Sequence, residues 1–250
     1  MIMLSRRSLL TQSLLVGAGA LVPLSRGNAS GSGAVSGAVS GAVSQSGPVL
    51  TATIQGQSVS RNQVLEYEAG RLKVVAQRML NNLPLALVEE LVILTLRPDF
   101  SIENVAADRE RLADAKIRAG DEAMRKLFAN DVLLTTAITE VAVAAPLGWV
   151  VSELELTSSR GTAEGFMDWF IDMINRDDER ALLVTCPDHM VMHRAPNNGM
   201  DILDITGGSP LASHFIFDPA DVGKLPLVTD PDFPVRYSGG VFDERGILVG

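Results

Sequence analysis

The chain has 250 residues, 46% of them hydrophobic and 20% charged, enough apolar material for a sizeable core and too much for wholesale disorder. Its net charge is −9, and the three arginines and absent acids of the first 29 residues leave the remainder more acidic still. Such a body repels phosphate backbones, which excludes nucleic acid as a partner. The single cysteine, Cys186, precludes an internal disulfide and reads as a small buried hydrophobe.

The chain opens on a targeting pattern. Ser5-Arg6-Arg7-Ser8-Leu9-Leu10 carries a serine, paired arginines, a spacer and two leucines, and a moderately apolar stretch at 14–24 follows, diluted by Gly17 and Gly19. This resembles a twin-arginine signal. Arg26 disfavours the general secretory route, and Gly27-Asn28-Ala29 places cleavage after Ala29. The expected location is therefore periplasmic or extracellular, with the twin-arginine export machinery as a transient partner. Residues 30–47 repeat Ser-Gly-Ala-Val three times and read as a low-complexity flexible spacer. Beyond the leader, the best apolar run, 83–96, is too short to span a bilayer and carries Glu89 and Glu90, so no membrane span is expected after cleavage.

Residues 48–146 read as a helical region. Ser60 is a helix cap, and Leu65, Leu72, Val75 and Met79 recur at helical spacing. Asn81-Asn82 ends that helix, Pro84 starts the next and Arg97-Pro98 stops it. Ser101 caps a third helix, and Asn130-Asp131 marks a break before a fourth at 132–145.

Residues 147–250 read as an antiparallel-sheet domain with one amphipathic helix packed on it. A period of two over 150–157 predicts a strand. Thr162 then caps a helix whose stripe, Phe166, Trp169, Phe170, Met173 and Ile174, predicts a core face, with Glu164, Asp168 and Asp172 opposite. Strands are expected near 189–194, 201–206, 212–217, 235–242 and 246–249, with Asn197-Asn198-Gly199 turning the first pair. Helices followed by antiparallel strands make this an α+β protein.

All three histidines fall in the strand region. On a regular strand His189 and His193 share one face with Val191, and Met190 and Met192 share the other. If His214 converges with them, three imidazoles supply the ligand number of a catalytic zinc site, oriented by Asp188, Asp201 or Asp204. Without metal, His189 or His193 beside Asp188 or Asp204 forms a general-base pair in a pocket between helix and sheet. Phosphate loop, nucleophile elbow, His-Glu-x-x-His, Cys-x-x-Cys and calcium-loop spacings are all absent from the sequence, and the pattern fixes no cofactor.

The runs Ala163-Glu164-Gly165-Phe166-Met167-Asp168-Trp169-Phe170, Arg176-Asp177-Asp178 and Pro187-Asp188-His189 resemble the helix-then-sheet opening of two groups of small cavity proteins. These are the polyketide-cyclase-like helix-grip fold and the cone-shaped nuclear-transport-factor-2-like fold, and both include binding proteins and enzymes. The first functional expectation is an exported protein holding a small apolar molecule in its pocket. The others are a metal-independent lyase, isomerase or cyclase using a pocket histidine with an aspartate, and an envelope-associated interaction protein.

Overall fold

The computed structural model describes residues 49–97, 102–145, 154–205, 209–219, 232, 235 and 237–249. The leader and spacer at 1–47, the Ser101 cap and the Gly207-Gly208 turn lie outside them.

The first described element is a hairpin not expected from the sequence. β1 (Leu50–Ile54) and β2 (Gln57–Val59) pair antiparallel around Gln55 and Gly56, both at positive φ (51° and 75°). Its alternating threonines and Gln-Gly turn are the signal that could have disclosed it. Ser60 does cap α1 (Arg61–Asn82), through a reciprocal box in which its hydroxyl accepts from the Gln63 amide and Gln63 Oε1 accepts from the Ser60 amide.

The apolar run that follows is not one helix. It breaks into α2 (Leu85–Val88), a 3₁₀ turn and α3 (Val92–Leu96), burying Val88, Leu91 and Leu94 while Leu85, Ile93 and Leu96 face solvent. α4 (Val105–Ala119) and α5 (Asp121–Ala144) then meet at Gly120, whose φ of 79° ends one helix and starts the next. The break expected at Asn130-Asp131 is absent, and α5 runs through it. The Asp131 carboxylate turns outward from its own backbone to pair with Arg78 of α1 and to accept from the Ala212 amide at 2.9 Å. Its capping tendency is spent on tertiary contacts.

β3 (Leu154–Ser158) pairs antiparallel with β1, Ile54 opposite Leu154, making a three-stranded sheet in the order β2-β1-β3. Then come α6 (Ala163–Asn175), capped by Thr162 as expected, and α7 (Glu179–Thr185), capped by Asp178. The remaining strands form the expected meander, β4 (His189–Arg194), β5 (Met200–Asp204), β6 (Ser213–Pro219) and β7 (Gly239–Phe242), in that spatial order. Leu248 bridges back to Phe242 where the final strand was expected.

This meander separates two apolar cores. Val191 and Leu203, direct cross-strand partners, join a core built from Leu72, Val75 and Met79 of α1, Leu112 of α4 and Phe128 of α5. Met192 and Ile202, the next pair, join Met173 and Ile174 of α6 with Phe215 and Phe217. The first core thus draws on both the 48–146 and 147–250 regions. The protein is α+β, with helices packed on both faces of an antiparallel sheet.

Helix α5 inverts the usual pattern. Beyond its first turns it buries Thr135 and Thr139 and exposes Leu133, Leu134 and Val141, the last at 73%. Thr135 is satisfied by donating to the Ala212 carbonyl at 2.9 Å. By length and composition alone α5 could cross a membrane, a property absent from the shorter runs weighed above. In this fold its Phe128 is fully buried, with the Arg78 guanidinium 4.4 Å above the ring.

These positions carry opposite expectations on one helix. Phe128→Ala should lose about 3–5 kcal/mol of stability in urea unfolding. Val141→Ser should stay within about 0.5 kcal/mol of wild type. Equal losses would overturn this orientation of α5.

Candidate functional site

The three histidines occupy three separate environments. A shift of register between His189 and Val191 explains the departure from a regular strand. It sends Met190 to the first core and Met192 to the second, although both were expected on one face. The imidazoles therefore do not form the three-histidine group.

His189 is buried, its Nδ1 lying 3.0 Å from the Leu182 carbonyl, an acceptor that requires that nitrogen to carry the proton. Burial pushes its pKa down to about 4, and the nearby Lys116 charge pushes the same way. A base so weak does not suit proton abstraction near neutral pH. Asp188 is gripped by Arg71, whose Nη2 and Nε donate at 2.7 and 3.0 Å. Asp204, 1% exposed, is held well above the usual carboxylate range by burial and by the Asp188 charge, and its Oδ1 lacks a hydrogen-bond partner.

Between them lies Lys116 of α4. It is 2% exposed, and its ammonium donates to the carbonyls of Pro187 at 2.8 Å and His189 at 2.5 Å. Burial lowers its pKa to about 8 while Cys186, Asp188 and Asp204 pull the other way. Burial, reinforced by Asp204 and Asp188, pushes the Cys186 thiol far up, which removes it as a nucleophile. This cluster ties α4 and α1 to the segment that leads into β4.

His214 sits on β6 with Nε2 2.7 Å from Asp201 Oδ1 and Nδ1 against Glu244, and Arg125 of α5 donates to the other Asp201 oxygen at 2.9 Å. Burial disfavours its charged form, yet the two carboxylates outweigh burial and raise its pKa. It borders a cleft lined by Thr135, Thr139, Ser213, Phe215, Asp243 and Val249, with room for about one water molecule. That is far below the size of a ligand pocket.

His193, half-buried on β4, has Nε2 2.9 Å from Asp121 at the start of α5 and 3.7 Å from Glu179 at the start of α7. Its Nδ1 lies 3.5 Å from Asp177. None of these acids was foreseen. Asp121 and His193 are distant in sequence, and only the packing of α5 against β4 brings them together.

The helix with the strongest apolar stripe is only half covered. Met173 and Ile174 are buried, but Phe166 and Trp169 are 58% and 49% exposed, correcting the expectation that the whole stripe is core. The rings form one cluster: Phe166 lies 5.8 Å from Trp169 and stacks on Phe170 at 6.3 Å, and Phe170 meets Tyr237 edge-on. Glu164, Asp168 and Asp172 are exposed on the opposite face of the helix.

No protein-family model matches the chain, and neither a curated protein nor a solved structure is found to be similar to it.

The neutral His189 has a pH consequence. Its folded pKa is below its unfolded value, so the unfolded chain takes up the proton first and stability is lost as pH falls from 6.5 through 4. His189→Asn keeps a donor for Leu182 without titrating. The difference between wild-type and variant unfolding free energies should change by on the order of 3 kcal/mol across that window. A flat difference would overturn the assignment.

Proposed function

We propose that this chain leaves the cytoplasm by the twin-arginine route and works outside it as an interaction protein, docking a partner through the aromatic face of α6. The observation that carries this reading is the exposure of Phe166 and Trp169 on a well-capped helix whose other end is anchored in a core. Soluble proteins rarely leave clustered aromatics in water without a use for them, and Trp and Phe in such clusters are common anchors of protein interfaces. Arg6-Arg7 and the spacer at 30–47 support export and a body held clear of its leader.

The charge of the whole chain defines the partner's chemistry. At −9 it favours a complementary surface that is apolar with a basic rim. The same charge disfavours anionic lipid. Among the described residues, the cleft beside His214 is of water size.

Two experiments test this. With Arg6 and Arg7 both replaced by lysine, the precursor should stay in the cytoplasm, while the wild-type chain matures to a species beginning at Ser30; unimpaired export of the double variant would overturn the route. In a Trp149→Phe background Trp169 is the remaining tryptophan. Its emission should shift to the blue with a synthetic amphipathic helix bearing leucines rimmed by lysines, and the shift should vanish with Phe166→Asp. The same helix rimmed by glutamates should leave it unchanged. A response to both peptides alike, or to phosphatidylglycerol vesicles instead, would refute a base-rimmed protein partner.

A further inference from the structure

We infer that Asp121, Glu179 and His193 form a binding site for a first-row divalent cation, zinc in the first instance. Each offers one ligand atom, and the three atoms lie within 4.8 Å of one another, which one ion can bridge. They come from three separate elements, the first turn of α5, the first turn of α7 and the far end of β4, so the grouping reflects tertiary packing and not a local run of acids.

The orientation of the imidazole supports the inference. Nδ1 faces Asp177, whose other oxygen is fixed by the Arg194 amide at 2.6 Å, and Nε2 faces Asp121 and Glu179. A carboxylate behind one ring nitrogen, with the other nitrogen aimed at further donors, is how metal-binding histidines are commonly held. A nitrogen with two carboxylate oxygens suits zinc or manganese better than calcium, which prefers an all-oxygen shell.

Charge balance points the same way. Three carboxylates, Asp121, Asp177 and Glu179, face one imidazole, and among the described residues none has a lysine or arginine ion-pair partner. The nearest arginine on α7, Arg180, is turned to Glu110 and Asp114 of α4. Even a protonated His193 neutralises only one of three charges. A dication in place of that proton compensates two and leaves the ring neutral.

The test is isothermal titration of the untagged, metal-stripped full chain with zinc chloride near neutral pH, with manganese and calcium for comparison. One zinc ion per chain is expected, weakened at least tenfold by Glu179→Gln and by His193→Gln, with circular dichroism confirming that each variant folds. His214→Gln should leave affinity unchanged. Absence of saturable one-to-one binding, or binding indifferent to both ligand variants, would overturn the site. Neither result bears on the α6 face, which lacks these residues.

Discussion

The constraint on which this fold depends is the burial of the Lys116 ammonium. Removing a charge from water costs several kcal/mol unless every proton finds an acceptor. Lys116 offsets much of that cost with two backbone carbonyls where α7 leads into β4, near the carboxyl groups of Asp188 and Asp204. Arg71 of α1 grips Asp188 in the same segment. The helices α1 and α4 are thereby referenced to one short stretch of backbone, and the sheet begins there with its register already shifted. Four residues beyond Lys116, Gly120 turns the chain and α5 starts with Asp121, while four residues beyond His189 the strand presents His193. The meeting of those two side chains is a downstream result of where one ammonium is held.

Polar and apolar side chains are distributed in a way that a simple inside–outside rule would not predict. α5 turns Thr135 and Thr139 inward and leaves Leu133, Leu134 and Val141 in water, and α6 leaves half its aromatic stripe there. Meanwhile Lys116, Asp188, His189 and Asp204 are all buried. The buried Asp188 is paired with Arg71, so the net stabilisation from that pair is small and its main effect is to fix geometry. The exterior apolar groups cost solubility with nothing gained inside the monomer.

Much of the architecture was legible in the sequence because it rests on local chemistry. Ser60, Thr162 and the turn signal between the first two strands of the meander each report a short-range preference, and each element is realised. What was not legible depends on distant partners. Asn130-Asp131 has the composition of a break, but Arg78 and the Ala212 amide claim the aspartate and the helix continues. The stripe of α6 has the spacing of a core face, yet how far the sheet extends beneath it is set elsewhere. His193 was singled out from its place on a strand, whereas its carboxylate neighbours come from two helices whose approach no periodicity encodes. Lys116 lay among charges of mixed sign and gave no hint of its burial.

The small sheet has a consequence for the order of assembly. Ile54 pairs with Leu154, a hundred residues on, and closing a loop of that length costs roughly 4 kcal/mol of chain entropy before any contact is made. A five-residue strand pairing with mostly exposed side chains returns too little to meet that cost on its own. The intervening helices must first shorten the loop by folding. The β1–β3 ladder is thus a late clasp that closes only on a chain already built between its strands, and it closes immediately downstream of the spacer.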